Sequence, residues 1–230
     1  MYFIELLQNM GKVFTKYWRL FLFEGVSNTL LLAAIAVLFG TVIGSLFAIM
    51  KLSRFKPLGW MITAIVEVLR GTPALLQLYI GYFLLPTIIP ALGKIPNSEL
   101  FCVAVALSLN SAAYVSEIIR SGIEAVGRGQ TEAARCLGLN ASVTMMSIVL
   151  PQAIKNILPA LGNEFITVIK ETSLASTFFV GELMTSYLIV KGATHITIPT
   201  LMVVGIIYFI LNFVLSKLMK LFERRMKAHA

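Results

Sequence analysis

From Gly25 to Met50 the chain carries no charged residue. At a rise of about 1.5 Å per residue such a run crosses the hydrocarbon core of a bilayer as a single helix with some tilt. A soluble domain of 230 residues has no place to hide a helix that is apolar all round. The whole composition agrees: 58% of residues are hydrophobic and 13% charged, and mean hydropathy is +0.87. Soluble globular domains have roughly twice that charged share. A soluble enzyme, a disordered chain and a nucleic-acid binder are thereby excluded, although the net charge is +8.

Further apolar stretches follow. The second expected span runs from about Leu58 to Leu85 and is interrupted by Glu67, Arg70 and Gly71-Thr72-Pro73. Proline disfavours helical geometry in the residue before it, so Thr72 is expected to mark a kink. The third runs from about Leu100 to Arg120, the fourth from about Ile148 to Ile169, and the last from Ile196 to Ser216. Residues 170–195 are mixed and read as a loop with short helices. The expectation is an all-α integral membrane protein with five transmembrane helices. Gly40 and Gly44 form a small-xxx-small pair on the first span, which permits close helix approach.

Five spans place the termini on opposite sides. Lys51, Arg54, Lys56, Arg120, Arg128, Arg135 and the tail cations from Lys217 to Lys227 fall on one side, with Lys155 at its edge. Lys12, Lys16, Arg19, Lys94 and Lys191 fall on the other. Cations accumulate on the cytoplasmic side, so the N-terminus is expected outside and the C-terminus inside. Residues 1–24 lack the continuous apolar core and small-residue cleavage site of a signal peptide. Phe3, Leu6, Leu7, Met10, Phe14, Tyr17, Trp18 and Phe21 recur at helical spacing, with polar residues between them. This amphipathic helix either lies on the membrane surface or packs across a neighbouring subunit. The division is then 1–24 interfacial helix, 25–225 membrane domain and 226–230 cytoplasmic tail.

Catalytic and metal chemistry find no constellation. His195 and His229 stand apart from cysteine and from acidic clusters, and every acid is Glu. Cys102 and Cys136 show no metal or disulfide spacing. No Gly-x4-Gly-Lys-Ser/Thr phosphate loop is present.

The one long hydrophilic segment, Ser121 to Asn140, is the most informative. Gln130 or Thr131 can begin a short helix, Gly138 can end it in the left-handed conformation, and a second short helix can start at Ser142. Two short helices around a glycine turn make a rigid knob. Glu132-Ala133-Ala134, Gly138 after three residues, then Ile148 and Leu150-Pro151 resemble the EAA loop of the membrane subunits of bacterial ABC importers. Gly25-Val26-Ser27-Asn28-Thr29-Leu30, Glu67 to Pro73 with Gln77 and Tyr82-Phe83, Leu109 to Ile123, and Lys170-Glu171-Thr172-Ser173-Leu174 resemble the polar amino acid branch of that family. The resemblance covers about residues 25 to 225.

The resemblance implies a type I importer permease in the bacterial inner membrane. It implies a dimer, homomeric or with a paralogue, two cytoplasmic ATPase subunits that use ATP and Mg, and an extracytoplasmic amino acid-binding protein. Glu132, Ala133, Ala134 and Gly138 would form the coupling knob. Arg128 and Arg135 either meet the ATPase or stay solvated. Glu67 and Arg70, three apart on one helix face, would neutralise each other near a gate, or else contact the substrate directly. Asn110, Tyr114 and Glu117, on one face of the third span, would line the solute path with Thr72 and Glu164. A carboxylate there would accept an amino acid ammonium, and Asn110, Tyr114 and Thr72 would donate to its carboxylate. The same five residues would otherwise only pair helices within the bundle. A secondary transporter or channel is the competing reading; it expects internal repeats, and none is evident.

Overall fold

A computed structural model describes residues 2–51, 53, 55–94 and 96–228. Arg54 of the basic loop and His229 and Ala230 of the tail lie outside the described residues. Among the described residues the structure is helical with no strand. Helix α1 (Tyr2–Arg19) passes through a π-helical segment, Leu20–Val26, directly into α2 (Ser27–Lys51). α3 (Lys56–Gly71) and α4 (Ala74–Ile88) are joined by Thr72-Pro73, and their axes differ by 110°. α5 is Ser98–Glu124, α6 Arg128–Cys136 and α7 Ala141–Thr144. A second π-helical segment, Met145–Val149, leads from α7 into α8 (Leu150–Glu171). A 3-10 turn, Thr172–Phe178, precedes α9 (Leu183–Thr194), and α10 is Ile198–Ala228.

Four continuous helical stretches are long and apolar enough to cross a membrane, and the α3–α4 pair, taken as one span, makes the fifth. The expected kink at Thr72 is therefore a near-perpendicular break. Pro73 supplies no N–H, and Thr72 leaves the helical region at φ −111° and ψ 147°.

α5 is the central post, packed against α2, α3, α4 and α8. The α2 contact is close because of glycine. A Cβ on Gly40 would sit 2.8 Å from Ser111 Cβ, and one on Gly44 would sit 2.6 Å from the Ala112 carbonyl oxygen. The small-xxx-small pair thus faces α5. Leu32, Ala33, Ala36, Leu78, Val103, Leu107, Val168 and Ile169 form the main core around it. A second cluster joins Val13 and Phe21 to Leu183, Tyr187, Val190, Val203 and Val204.

That second cluster gives the N-terminal helix a use that neither sequence expectation named. One edge of its apolar stripe packs on α9 and α10 of its own chain, while Phe3, Ile4 and Leu7 stay exposed. The π-helical segment runs across the expected 24/25 boundary without a break. Helix α10 likewise continues through 225 to Ala228, so the start of the expected tail is helical.

Candidate coupling knob and polar layer

The knob is built by a helix stop. In α6 the N–H of Leu139 donates to the Ala134 carbonyl at 3.1 Å, and that of Gly138 donates to Arg135 at 3.0 Å. This double reversal is the Schellman arrangement, which needs a left-handed residue just past the helix end. Gly138 supplies it at φ +80°. Two residues on, Asn140 caps α7 by accepting from the Val143 N–H at 2.9 Å. α6 starts at Arg128, two to three residues earlier than expected. The expected second short helix is real at its start but does not end at Leu150-Pro151. It runs through the π-helical segment into α8, and the widened turn of Met145–Val149 lies immediately before Pro151, where a regular helix would need the N–H that proline lacks.

Ala134 is buried, whereas Glu132 and Ala133 are exposed. Glu132 has no hydrogen bond or ion pair within the chain among the described residues. Leu137, just past the end of α6, is 81% exposed, and Met146 on the following π-helical segment is also exposed. Arg128 and Arg135 line a groove of about 640 Å³ with Glu124, Thr131 and Met145, between the knob and the end of α5.

Above the knob, the expected path residues separate into three groups. In the first, Asn110 is buried on α5 and donates through Nδ2 to Gln77 Oε1 at 3.0 Å. Gln77 Nε2 in turn donates to the Leu69 carbonyl at 2.6 Å, to Thr72 Oγ1 at 2.8 Å and to the Thr72 carbonyl at 3.2 Å. The α3–α4 break is thereby tied to α5, and Thr72 and Asn110 are brought together by a residue for which the sequence suggested no role. Asn110 Oδ1 is buried with no hydrogen-bond partner among the described residues.

The second group centres on Glu117. Its carboxylate takes Lys51 Nζ at 2.6 Å, Arg120 Nε at 2.9 Å and Arg70 Nη1 at 3.6 Å. Arg70 also lies over the Tyr114 ring, 5.6 Å from its centroid. The expected Glu67–Arg70 pair is not formed. Both residues line one cavity of about 470 Å³, but the guanidinium reaches across to the α5 carboxylate instead. Glu117 takes hydrogen bonds from Lys51 and Arg120, and at 3.6 Å the Arg70 contact is a looser ion pair beside them. Lys51 was legible only as an orientation cation; its position at the end of the uncharged run is the signal that it reaches back toward α5.

The third group is Glu164 on α8, buried, accepting from Ser111 Oγ at 2.9 Å. Asn110 and Ser111 are adjacent but face different helices, α4 and α8, so Glu164 does not join the Asn110 group. Ser111 was quoted only as part of a motif and is the partner that the sequence did not single out.

A family profile described as "Binding-protein-dependent transport system inner membrane component" matches residues 40–228. The arginine transport system permease protein ArtQ of Bacillus subtilis (strain 168) is 39% identical over 209 residues, which cover 91% of this chain and 94% of that protein. A putative glutamine transport system permease protein, GlnP, of Rickettsia bellii (strain RML369-C) is 41% identical, covering 90% and 93%. The crystal structure of an amino acid ABC transporter with histidines superposes with a TM-score of 0.86 at 41% identity, covering 92% of this chain and 96% of that one. An inward-facing MetNI methionine ABC transporter shares the fold, with a TM-score of 0.73 at 20% identity. The architecture is that of a type I importer permease, and these matches leave the competing secondary-transporter reading without support. The chain belongs to the family of inner-membrane components of binding-protein-dependent transport systems.

Proposed function

We propose that this chain is the permease of an ATP-driven amino acid importer in a bacterial inner membrane, N-terminus out and C-terminus in. It works as a dimer, with itself or with a paralogue, above two ATPase subunits that bind ATP and Mg. An extracytoplasmic binding protein delivers the amino acid. The observation that carries the reading is the knob: a glycine-stopped helix presenting an unengaged Glu132 and a bare Leu137. An exposed leucine and an unpaired carboxylate on one short helix suit a partner surface that offers both an apolar pocket and a cation. Curated relatives named for arginine, glutamine and cystine transport supply the cargo class.

In this reading the ATPases move the knob as a rigid body, and the continuous helix from α7 through α8 carries that movement into the bundle. The broken α3–α4 pair, tied to α5 by Gln77, is the element that opens and closes the path. Arg128 and Arg135, which line the groove between the knob and the end of α5, meet the ATPase. Thr72, Asn110, Tyr114, Glu117 and Glu164 line the way through, where the Glu117 or Glu164 carboxylate accepts the amino acid ammonium.

The test is affinity purification after co-expression with the ATPase encoded beside it, followed by reconstitution. A stable assembly whose ATP hydrolysis rises with loaded binding protein supports the reading, and the stimulating amino acid names the cargo. Transport by this chain alone on an ion gradient overturns it.

A further inference from the structure

The cavity of about 470 Å³ where α2, α3 and α5 meet is walled by charges of both signs. They are not equally engaged. Lys51 and Arg120 hold Glu117 at 2.6 and 2.9 Å, and Arg120 also holds Glu124 at 2.6 Å. Arg70 reaches Glu117 only at 3.6 Å, and its side chain is 42% exposed. Glu67 has no ion pair or hydrogen bond among the described residues. Once the tight pairs are set aside, one loosely held guanidinium and one unengaged carboxylate remain. They are three residues apart on α3, and both face the cavity.

A guanidinium offers a planar fork that fits a carboxylate, and a carboxylate accepts from an ammonium. The headgroup of a free α-amino acid carries these two complementary charges on one carbon. A phosphate or a metal ion answers only one of the two wall charges and is repelled by the other. The cavity shares Ile123 and Glu124 with the groove beside the knob, so it opens on the knob's side of the bundle.

We propose that Glu67 and Arg70 form a second amino acid site, separate from the Asn110–Gln77 layer, that takes the headgroup of a free amino acid from the cytoplasmic side. The proposal rests on the cargo class and orientation of the proposed function. On binding, the ligand carboxylate displaces the weak Arg70–Glu117 contact and leaves Lys51 and Arg120 in place on Glu117. Arg70 lies two residues before the Thr72–Pro73 break, so an occupied site bears directly on the end of α3.

The test is equilibrium binding of radiolabelled arginine and of radiolabelled glutamine to the purified full chain, with melting temperature as the folding control. Saturable binding is expected that Glu67→Gln and Arg70→Gln each weaken about tenfold or more, the effect of losing one charged hydrogen-bond partner. Arg70→Lys keeps the charge without the fork and falls between. Agmatine, which lacks the carboxylate, and N-acetylarginine, which lacks the ammonium, should compete poorly. Everted vesicles should bind, and right-side-out vesicles should not bind through this site. Glu164→Gln should leave the Glu67-dependent component intact. Absence of saturable binding, binding indifferent to both neutral substitutions in folded protein, or agmatine competing as well as arginine overturns the site. If ATPase co-purification and binding-protein stimulation persist in that case, the second site alone fails. If the ATPase does not bind, the importer reading fails first.

Discussion

The Gln77 side chain donates to the Leu69 carbonyl at 2.6 Å, and Leu69 is the residue whose helical partner would have been the N–H of position 73. Position 73 is proline, so that carbonyl is orphaned by covalent structure. Gln77, one turn into α4, folds back to fill the gap and at the same time accepts from Asn110. A single amide therefore caps the broken helix and docks it on α5. Replacing it with leucine leaves the Leu69 carbonyl and the Asn110 amide unsatisfied. Gln77→Leu is expected to destabilise the protein by about 1–3 kcal/mol, the penalty for stranding buried polar groups. Thermal unfolding in detergent checks this, with Gln77→Glu as a companion that keeps the acceptor but loses the donor. Unchanged melting in Gln77→Leu would mean that water or a neighbouring helix caps Leu69 instead.

Glu117 makes a sharper contrast with its partners. Lys51 is 11% exposed and Glu117 18% exposed, so removing the carboxylate strands a lysine in a partly dry setting. Glu117→Gln is expected to cost on the order of 2 kcal/mol, below the ~3–5 kcal/mol of a fully buried pair because some water reaches both groups. Arg120→Ala removes a group whose side chain is 46% exposed and should change stability by less than about 1 kcal/mol. Melting curves of the two variants side by side decide whether the Lys51 contact dominates the cluster. Equal losses would count against that ranking.

The apolar runs, the Thr72 discontinuity, the Gly40–Gly44 contact face and the Gly138 stop were all legible, because each depends on local chemistry. An uncharged run needs no partner to be read, and a glycine turn is specified within five residues. The choice of partner was not legible. Glu67 and Arg70 satisfy every local criterion for an ion pair, yet α5 brings Glu117 to the guanidinium from almost 50 positions away. Asn110 and Ser111 share a helix turn but serve different neighbours, and only the packing of α4 and α8 on different faces of α5 separates them. The amphipathic stripe of α1 showed that one face must be covered, not that Val13 and Phe21 would cover it against α9 and α10.

Close packing at Gly44 yields a prediction with a clear sign. A Cβ there would lie 2.6 Å from the Ala112 carbonyl oxygen and 2.8 Å from Val115 Cβ. Backbone atoms on α5 cannot rotate away as a side-chain end can, so α2 must shift as a body. Gly44→Val is expected to destabilise by at least the ~1–3 kcal/mol typical of overpacking. Gly205 on α10, whose added Cβ meets nothing within 4 Å, is the matched control, and Gly205→Ala should be neutral or slightly stabilising. Similar melting temperatures for both variants would count against a close α2–α5 contact at Gly44.

The knob offers a separation of folding from coupling. At φ +80° Gly138 occupies a conformation that costs an ordinary L-residue about 1–2 kcal/mol, with β-branched side chains worst and asparagine most tolerant. Among the described residues beyond its chain neighbours, no atom lies within 4 Å of an added Cβ, so the penalty is conformational and confined to the turn. Gly138→Val is expected to distort the path from α6 to α7 while the bundle melts normally, and to lose co-purification of the ATPase. Gly138→Asn should retain most of it. Leu137→Ser keeps the backbone and removes only the exposed apolar tip. It should weaken ATPase capture about tenfold or more if that tip fills a pocket in the partner. Capture at wild-type strength by both Gly138→Val and Leu137→Ser would place the ATPase contact elsewhere on the cytoplasmic face.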